Sequence, residues 1–204
     1  MNMKLHRKDS LKKLKIVAFI PARGGSKSIK SKNLYLLGSK PLVAWSIDCA
    51  KREKIFNRIF VSTDNKNIAF YSKIFGAEIH KRQKKFSRDN SLVVDAINSF
   101  LNYLKFNLKY EPDILVLLEP TSPFREKNLV SKCIKKMLAR KSDSIATFVK
   151  VKTDPRRAWN IDKKGKPLAH YKKSAWLPRQ KLKKTYELDG SVYAFKVKKN
   201  KNNK

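Results

Sequence analysis

The chain has few cysteines, no long apolar run and few acidic residues, and each shortage excludes a class of protein. Its two cysteines, Cys49 and Cys133, lie in separate segments with helical patterns, which predicts neither a disulfide framework nor a metal site. The longest apolar run near the N-terminus covers residues 16–20, which is too short for a secretory signal or a membrane span. We therefore expect a cytoplasmic protein without a membrane partner.

The shortage of acidic residues leaves the chain strongly basic. Lys and Arg number 49 against 16 Asp and Glu, which gives a net charge of +33 in 204 residues. Such a balance favours anionic partners, namely nucleic acid, acidic lipid surfaces or a triphosphate. The lysines are also spread over the whole length, as a composition bias with solvated lysines would produce. A basic nucleic-acid-binding protein stays an alternative, although no recognised nucleic-acid-binding motif is present.

Strand and helix patterns alternate along the chain, which predicts a single α/β domain. Strand patterns cover residues 15–21, 58–64, 77–81, 143–151 and 185–195, and a buried strand with a following turn covers 113–125. Helix patterns cover residues 41–50, 65–75, 91–106 and 126–140. Strands that alternate with helices form a parallel, doubly wound sheet, and such sheets bind ligands at the carboxyl ends of their strands.

The first strand runs into a glycine-turned, lysine-rich loop with the sequence IPARGGSKSIKSKN (residues 20–33). Gly24 and Gly25 lack a Cβ atom, so the backbone can take positive φ and bring N–H groups close to phosphate oxygens. The loop matches neither the Walker pattern nor GxGxxG. A Gly-Gly pair after a strand can also be a turn and nothing more.

The side chains of the loop favour a nucleotide. Arg23, Lys27 and Lys32 would surround phosphate oxygens with positive charge, and Ser26 offers a hydroxyl. Asn33 offers an amide that can donate and accept, which suits a nucleobase or a ribose.

The second strand ends in Ser-Thr-Asp at residues 62–64, at the same predicted edge of the sheet. Asp64 could have a catalytic or metal-binding role there. Acidic residues after a strand often cap the next helix instead, and we favour the cap.

Several motifs together resemble the acylneuraminate cytidylyltransferases, the family that loads sialic acid and related nine-carbon acids onto CMP. The loop 20–33 resembles the N-terminal signature of that family. The segment EPTSPFR (119–125) resembles its QPTSPLR motif, and TYELDGSVYAF (185–195) resembles its YxxNGxIY strand. The likeness extends over about residues 15–195, which is almost the whole chain.

The resemblance implies a mostly parallel, Rossmann-like nucleotidyltransferase sheet with a small protruding dimerisation region. Residues 14–195 would form the cytidylyltransferase domain, and about 152–184 would form the protruding region, which contacts substrate and a second subunit. A basic extension (1–13) and a basic tail (196–204) would flank the domain. The implied reaction joins CMP from CTP to the anomeric oxygen of a nonulosonic acid and releases pyrophosphate, in a homodimer.

The resemblance also implies roles for individual residues. The nucleotide would be bound by Arg23, Gly24, Gly25, Ser26, Lys27, Asn33, Arg82 and Ser91. The acid would be bound by Glu119, Thr121, Ser122 and Gln180. The catalytic residues would be Lys32 and Arg179.

Two departures from the family pattern affect these expectations. Glu119 stands where the family usually has glutamine, and a carboxylate accepts hydrogen bonds but cannot donate them. The family also continues to an Asp-x-Asp segment that holds Mg²⁺, whereas residues 196–204 are basic. We therefore expect Mg²⁺ as the cofactor with ligands unknown. A shortened, weakly active or inactive CTP-binding relative is a second alternative.

Overall fold

The chain divides into two compact units, each with its own set of internal contacts. The first contains residues 1–147 and 190–204, and the second is Phe148–Asp189. The computed structural model describes residues 14–26, 29–87, 91–171 and 176–198. The predicted extension 1–13 and most of the predicted tail therefore lie outside the described residues. The range 152–184, which we predicted as a protruding dimerisation and substrate region, lies within the second unit, and that role stays a prediction.

Ten strands and four helices are described. The strands are β1 (Ile16–Pro21), β2 (Leu36–Leu37), β3 (Lys40–Pro41), β4 (Arg58–Thr63), β5 (Glu78–Lys81), β6 (Ile114–Leu117), β7 (Ser144–Lys150), β8 (Trp159–Ile161), β9 (Pro167–Ala169) and β10 (Tyr186–Lys196). The helices are α1 (Leu42–Glu53), α2 (Lys66–Ile74), α3 (Val93–Asn107) and α4 (Leu129–Ala139). The predicted elements are confirmed with bounds shifted by one to three residues, whereas the short pair β2 and β3 was not predicted.

Six strands form one mixed sheet in the order β5-β4-β1-β6-β10-β7. The strands β5, β4, β1 and β6 are parallel, and β10 pairs antiparallel with β6. The apolar runs of β1 and β6 explain their central places, because a central parallel strand is covered on both faces. The predicted doubly wound, mostly parallel sheet is confirmed.

Alternate residues of β1 face two different cores, as the period of two in a strand requires. Ile16, Ala18 and Ile20 pack in one core with buried residues of α1, α2 and α4. Val17 and Phe19 pack in the other core with α3. A fully buried Val, Ile or Phe side chain contributes about 1.5–3 kcal/mol to the stability of the fold. Helix packing on both faces therefore fixes the position of β1 and of its carboxyl end.

The helix ends are set by identifiable residues. Pro41 precedes α1, where a missing N–H costs nothing. Gly76 follows α2 with a φ of 88°, the left-handed conformation in which glycine commonly ends a helix. No helix in the described ranges is both long enough and apolar enough to cross a membrane.

The N-terminus of α4 is capped from another helix. Asn128 precedes α4 with a φ of 61° and makes no side-chain cap bond. The buried carboxylate of Glu53, the last residue of α1, accepts from the N–H groups of Val130 and Ser131 at 3.1 Å each. This carboxylate also accepts from the Ser131 hydroxyl. A negative charge at a helix N-terminus is favoured by the free N–H groups there.

The second unit contains the hairpin of β8 and β9, and Gly165 takes a φ of 79° in its turn. Arg156 donates to both oxygens of Asp154, at 2.8 and 2.5 Å, and holds the pKa of Asp154 below its ordinary value. Trp159 and Trp176 pack edge to face with ring centroids 5.1 Å apart.

Candidate active site

A cleft of about 340 Å³ lies at the carboxyl ends of the parallel strands in the first unit. Pro21 at the end of β1, Arg82 after β5 and Glu119 after β6 all line it. The predicted site residues in its lining are Arg23, Gly25, Ser26, Lys32, Asn33, Arg82, Ser91, Glu119 and Thr121. The sheet thus gathers segments that are up to about a hundred residues apart in sequence, at the edge where doubly wound sheets bind ligands.

The loop after β1 is shaped by polar contacts to its neighbours. The Gly24 N–H donates to Oδ1 of Asp64 at 2.9 Å, and the amide of Asn33 donates to the Arg23 carbonyl at 2.9 Å. Asn33 is only 7% exposed. Asn33 therefore orders the loop that carries Arg23, in addition to lining the cleft.

Neither glycine of this loop uses the left-handed region that the sequence analysis invoked. A Cβ atom on Gly24 would lie 2.9 Å from both Cβ and Nδ2 of Asn65, whereas a Cβ atom on Gly25 would meet nothing within 4 Å. Glycine is required at position 24 because two segments approach each other closely there. At position 25 the structure shows no such requirement.

The prediction that Asp64 caps the next helix is wrong. The residue that caps α2 is Asn65, whose side-chain oxygen accepts from the N–H groups of Asn67 and Ile68 at 2.9 and 3.0 Å. Asp64 lies one residue earlier and accepts from Gly24 instead. Asp64 therefore connects the end of β4 to the loop after β1.

Arg82 is a buried cation at the cleft, only 7% exposed. Its Nε donates to the Ser62 hydroxyl at 3.1 Å and its Nη2 to the Ser62 carbonyl at 2.9 Å. Burial lowers the pKa of Arg82 to about 10, Asp64 opposes that shift and Arg23 adds to it. The guanidinium is still charged at neutral pH, so it brings a positive charge to the cleft.

The turn after β6 is held by Arg125, the last residue of the EPTSPFR motif, for which no role was predicted. Arg125 is 7% exposed and donates to the carbonyls of Glu119 and Ser191 at 2.6 Å each and to the Ser46 hydroxyl at 3.0 Å. Its only sequence signal was a cation at the end of an otherwise uncharged Pro-Thr-Ser-Pro-Phe run. Arg125 fixes the backbone that presents Glu119 to the cleft.

A glycine of β10 makes room for this turn. Gly190 takes a φ of 72°, and a Cβ atom there would lie 3.0 Å from Oε2 of Glu119 and 3.0 Å from the Ser122 hydroxyl. Oε2 of Glu119 also accepts from the Thr121 hydroxyl at 3.3 Å. Ser122 therefore packs beside β10, and its predicted contact with substrate stays a prediction.

The predicted site residues that are not in the lining of the cleft are Gly24, Lys27, Ser122, Arg179 and Gln180. Lys27 lies outside the described residues. Arg179 and Gln180 belong to the second unit, in a 3-10 helix over Arg179–Lys181, and the side chain of Arg179 is not described. Their roles stay predictions. Ser91, by contrast, lines the cleft and donates from its hydroxyl to the Lys85 carbonyl at 2.9 Å.

The carboxylates near the cleft determine whether the described residues could hold a metal ion. In the described ranges, no three or more His, Cys, Asp or Glu side chains lie together as a metal site would need. Glu119 lines the cleft, and Asp64 already accepts from Gly24. Mg²⁺ commonly binds through one or two carboxylates together with substrate phosphates and water. The described residues therefore do not form a Mg²⁺ site by themselves.

The comparison with protein families decides the assignment. Residues 17–198 match the cytidylyltransferase family model. The chain belongs to the cytidylyltransferase family. The resemblance to acylneuraminate cytidylyltransferases, inferred from the sequence motifs, is thereby confirmed, and named relatives support it.

One bacterial relative is the CMP-N,N'-diacetyllegionaminic acid synthase of Legionella pneumophila, which is 30% identical over 192 residues, or 91% of this chain and 79% of the relative. The post-translational flagellin modification protein B of Campylobacter coli is 28% identical over 183 residues, 89% of this chain and 77% of the relative. The N-acylneuraminate cytidylyltransferase of Oncorhynchus mykiss is 39% identical over 116 residues, 57% of this chain. The matched segment spans only 26% of that fish protein.

Solved structures support the fold. The structure of CMP:2-keto-3-deoxy-manno-octonic acid synthetase complexed with CTP has a TM-score of 0.65 at 18% identity and covers 89% of this chain and 74% of that one. A 4-diphosphocytidyl-2C-methyl-D-erythritol synthase has a TM-score of 0.62 at 16% identity, with coverage of 90% and 75%. The predicted Rossmann-like nucleotidyltransferase fold is confirmed.

Proposed function

We propose that this protein transfers CMP from CTP to the anomeric oxygen of a nonulosonic acid and releases pyrophosphate. The observation that carries the proposal is the cleft of the first unit, where Arg23, Lys32 and Arg82 come together at the carboxyl ends of parallel strands. A triphosphate is the ligand that such a group of cations suits best. The second substrate, a nonulosonic acid, is proposed from the relatives, which are named as an N-acylneuraminate cytidylyltransferase and a CMP-N,N'-diacetyllegionaminic acid synthase.

The chemistry requires positioning and charge neutralisation more than covalent catalysis. The anomeric hydroxyl forms a bond to the α-phosphorus of CTP, the bond from that phosphorus to the bridging oxygen breaks, and the hydroxyl proton passes to water. Arg23 and Lys32 would hold the phosphates, and Asn33 and Ser91 would fix the nucleoside. Arg179 would meet the carboxylate of the acid or the phosphates.

Glu119 distinguishes this cleft from a purely cationic one. The Glu119 carbonyl accepts hydrogen bonds from Arg125 and from the Ser46 hydroxyl. These bonds fix the backbone that carries the Glu119 carboxylate. A carboxylate accepts hydrogen bonds, so Glu119 would select a donor such as an amino or hydroxyl group of the nucleobase or the acid. Replacement of Glu119 by glutamine should change the preference among acids more than the affinity for CTP.

The remaining parts of the proposal rest on the family resemblance. Mg²⁺ would enter with the triphosphate. The protein would form a homodimer through its second unit, with Arg179 and Gln180 directed to an active site. A cytoplasmic location fits a reaction whose donor is CTP.

The test is pyrophosphate release with CTP, MgCl₂ and a panel of sialic, legionaminic and pseudaminic acids, beside calorimetric titration of CTP alone. We expect CTP to bind more tightly than ATP or GTP. Lys32→Ala should weaken CTP binding about tenfold, because it removes one charge-assisted contact. Lys30→Ala is the matched control, since Lys30 lies exposed in the same loop outside the cleft lining. No measurable CTP binding by the unmodified chain would refute the proposal.

The described lining of the cleft contains a single carboxylate, that of Glu119, which favours one second candidate, a relative that binds CTP without turning it over. This candidate predicts saturable CTP binding together with no pyrophosphate release for any acid of the panel. Turnover that stops on addition of EDTA would refute it.

A further inference from the structure

A buried hydrogen-bonded chain lies behind the cleft, at the ends of β4 and β5. Ser62 of β4 pairs in register with His80 of β5, and the Ser62 hydroxyl lies 2.9 Å from Nδ1 of His80. Nε of Arg82 donates to the same hydroxyl at 3.1 Å. Ser62, His80 and Arg82 are 0%, 3% and 7% exposed. A charged side chain that lines the cleft is thus connected to a buried imidazole through one hydroxyl.

One bond of this hydrogen-bonded chain has a defined direction. A guanidinium only donates, so the Ser62 oxygen accepts from Arg82. The oxygen has a second lone pair and one hydrogen, so the bond between Ser62 and Nδ1 of His80 forms with either neutral tautomer of the imidazole. Burial, together with the charge of Arg82, lowers the pKa of His80 to about 4, so the imidazole is neutral at neutral pH.

The ring of His80 is fixed from its other sides. The aromatic rings of Phe100 and Tyr103 in α3 lie 5.2 and 5.1 Å from it, measured between centroids. His80 also lines a separate groove of about 500 Å³, whose charged lining residues are Lys81, Lys85 and Asp95. The charged groups near Arg82 that shift its pKa are Asp64, which raises it, and Arg23, which lowers it.

We infer that His80, acting through Ser62, is a positioning residue for Arg82 and thereby sets the affinity of the cleft for CTP. The inference rests on the proposed function, because CTP is the ligand that Arg82 would meet. His80 itself does not line the cleft. Its contribution is to keep the Ser62 hydroxyl oriented so that the oxygen faces Nε of Arg82, since a misplaced contact group weakens binding without any loss of charge.

The experiment compares two substitutions of His80 by calorimetric titration of CTP at pH 7.5. His80→Leu removes the hydrogen-bonding nitrogen and keeps apolar volume, whereas His80→Asn keeps an amide that can donate or accept near the position of Nδ1. We expect His80→Leu to weaken CTP binding about tenfold, and His80→Asn to stay within about threefold of the unmodified chain. Thermal unfolding of each variant identifies any loss of folded protein. Equal affinity of the leucine variant and the unmodified chain would overturn the inference.

A double substitution shows whether the effect acts through Arg82. In an Arg82→Ala background, His80→Leu should cause no further loss of CTP affinity, because the group it positions is already gone. A further tenfold loss would overturn the inference by showing that His80 affects the cleft by another route.

A readout without CTP separates this inference from the proposed function. The Arg82 Nε–H should give a slowly exchanging NMR signal, identified by its loss in Arg82→Lys, because that group is buried and donates to Ser62. We expect the signal to be lost or to exchange rapidly in His80→Leu and to persist in His80→Asn. If the unmodified chain binds no CTP, the proposed function fails, whereas an unchanged Arg82 signal in His80→Leu refutes the positioning role itself.

Discussion

Two connections that each lead from a strand of the sheet to a helix, here called crossings, border the cleft. They are held in place in different ways. The crossing from β6 to α4 is fixed by buried charges: Arg125 holds its turn and Glu53 caps its end. The crossing from β1 to α1 carries Arg23 and Lys32, which line the cleft and are half-buried. Arg125 and Glu53 are committed to the fold, whereas Arg23 and Lys32 line the space that a ligand would occupy.

The sharpest way to break this comparison is Arg125→Ala. Removal of the guanidinium deletes its hydrogen bonds to the carbonyls of Glu119 and Ser191 and to the Ser46 hydroxyl, and a hydrogen bond to a charged group contributes about 1.5–3 kcal/mol. We expect the free energy of unfolding in urea to fall by about 3–5 kcal/mol. Arg140→Ala, at the exposed end of α4, is the control and should change it by less than about 0.5 kcal/mol. A loss below about 1 kcal/mol for Arg125→Ala would contradict the prediction.

A second test acts on the other crossing. Gly24→Ala places a methyl group 2.9 Å from Asn65, so the loop or the start of α2 must move, at a cost of about 1–3 kcal/mol. Because the loop also carries Arg23, CTP binding should weaken as well. Gly25→Ala is the matched control, since its methyl group meets nothing within 4 Å. Chemical unfolding of both variants checks this, and equal stabilities would show that the close approach at Gly24 is unimportant.

A third and smaller effect is expected for Glu53→Gln. The amide oxygen can still accept one hydrogen bond at the start of α4, but the negative charge and the second acceptor are lost. We expect a loss of about 1–2 kcal/mol in the free energy of unfolding. Glu126→Gln tests the alternative of a general charge effect, because Glu126 is 79% exposed and should contribute almost nothing. Similar losses for both variants would refute the capping role of Glu53.

A fourth effect is zero at pH 7 and appears only as the pH falls, and it concerns the buried hydrogen-bonded chain of Ser62, His80 and Arg82. The pKa of His80 is about 4 in the folded protein, against an ordinary value of 6.5. Between these values the unfolded chain binds more protons at this site, so folding stability falls as the pH falls from about 6.5 to about 4. His80→Asn should remove this part of the pH dependence, and substitution of the exposed His170 by asparagine should leave it in place. Urea unfolding across this pH range measures both.

Local patterns predicted the elements of the fold because each apolar run is buried by the neighbour it was expected to meet. The alternation of strands and helices gave the parallel sheet, and the loop at 20–33 and the motif at 119–125 gave the cleft edge. The strands β2 and β3 were missed because two residues each are too few for a periodic pattern.

Long-range polar contacts account for what the sequence could not show. Asp64 and Asn65 are adjacent and both suit a helix cap, and only the folded chain shows that Gly24 N–H is the partner of Asp64. Glu53 lies 77 residues before the helix start that it caps. Nothing in the local sequence around either partner marks such a contact.

The placement of β10 has a consequence for biosynthesis. This strand, Tyr186–Lys196, lies between β6 and β7 in the sheet, although both of those strands precede it in the chain. Until residues 186–196 have left the ribosome, the edge of β6 that pairs with β10 in the folded sheet has no partner. An open apolar edge invites pairing with other chains. The sheet can close only after β10 has emerged, so completion of the core depends on a long-range contact, which slows folding.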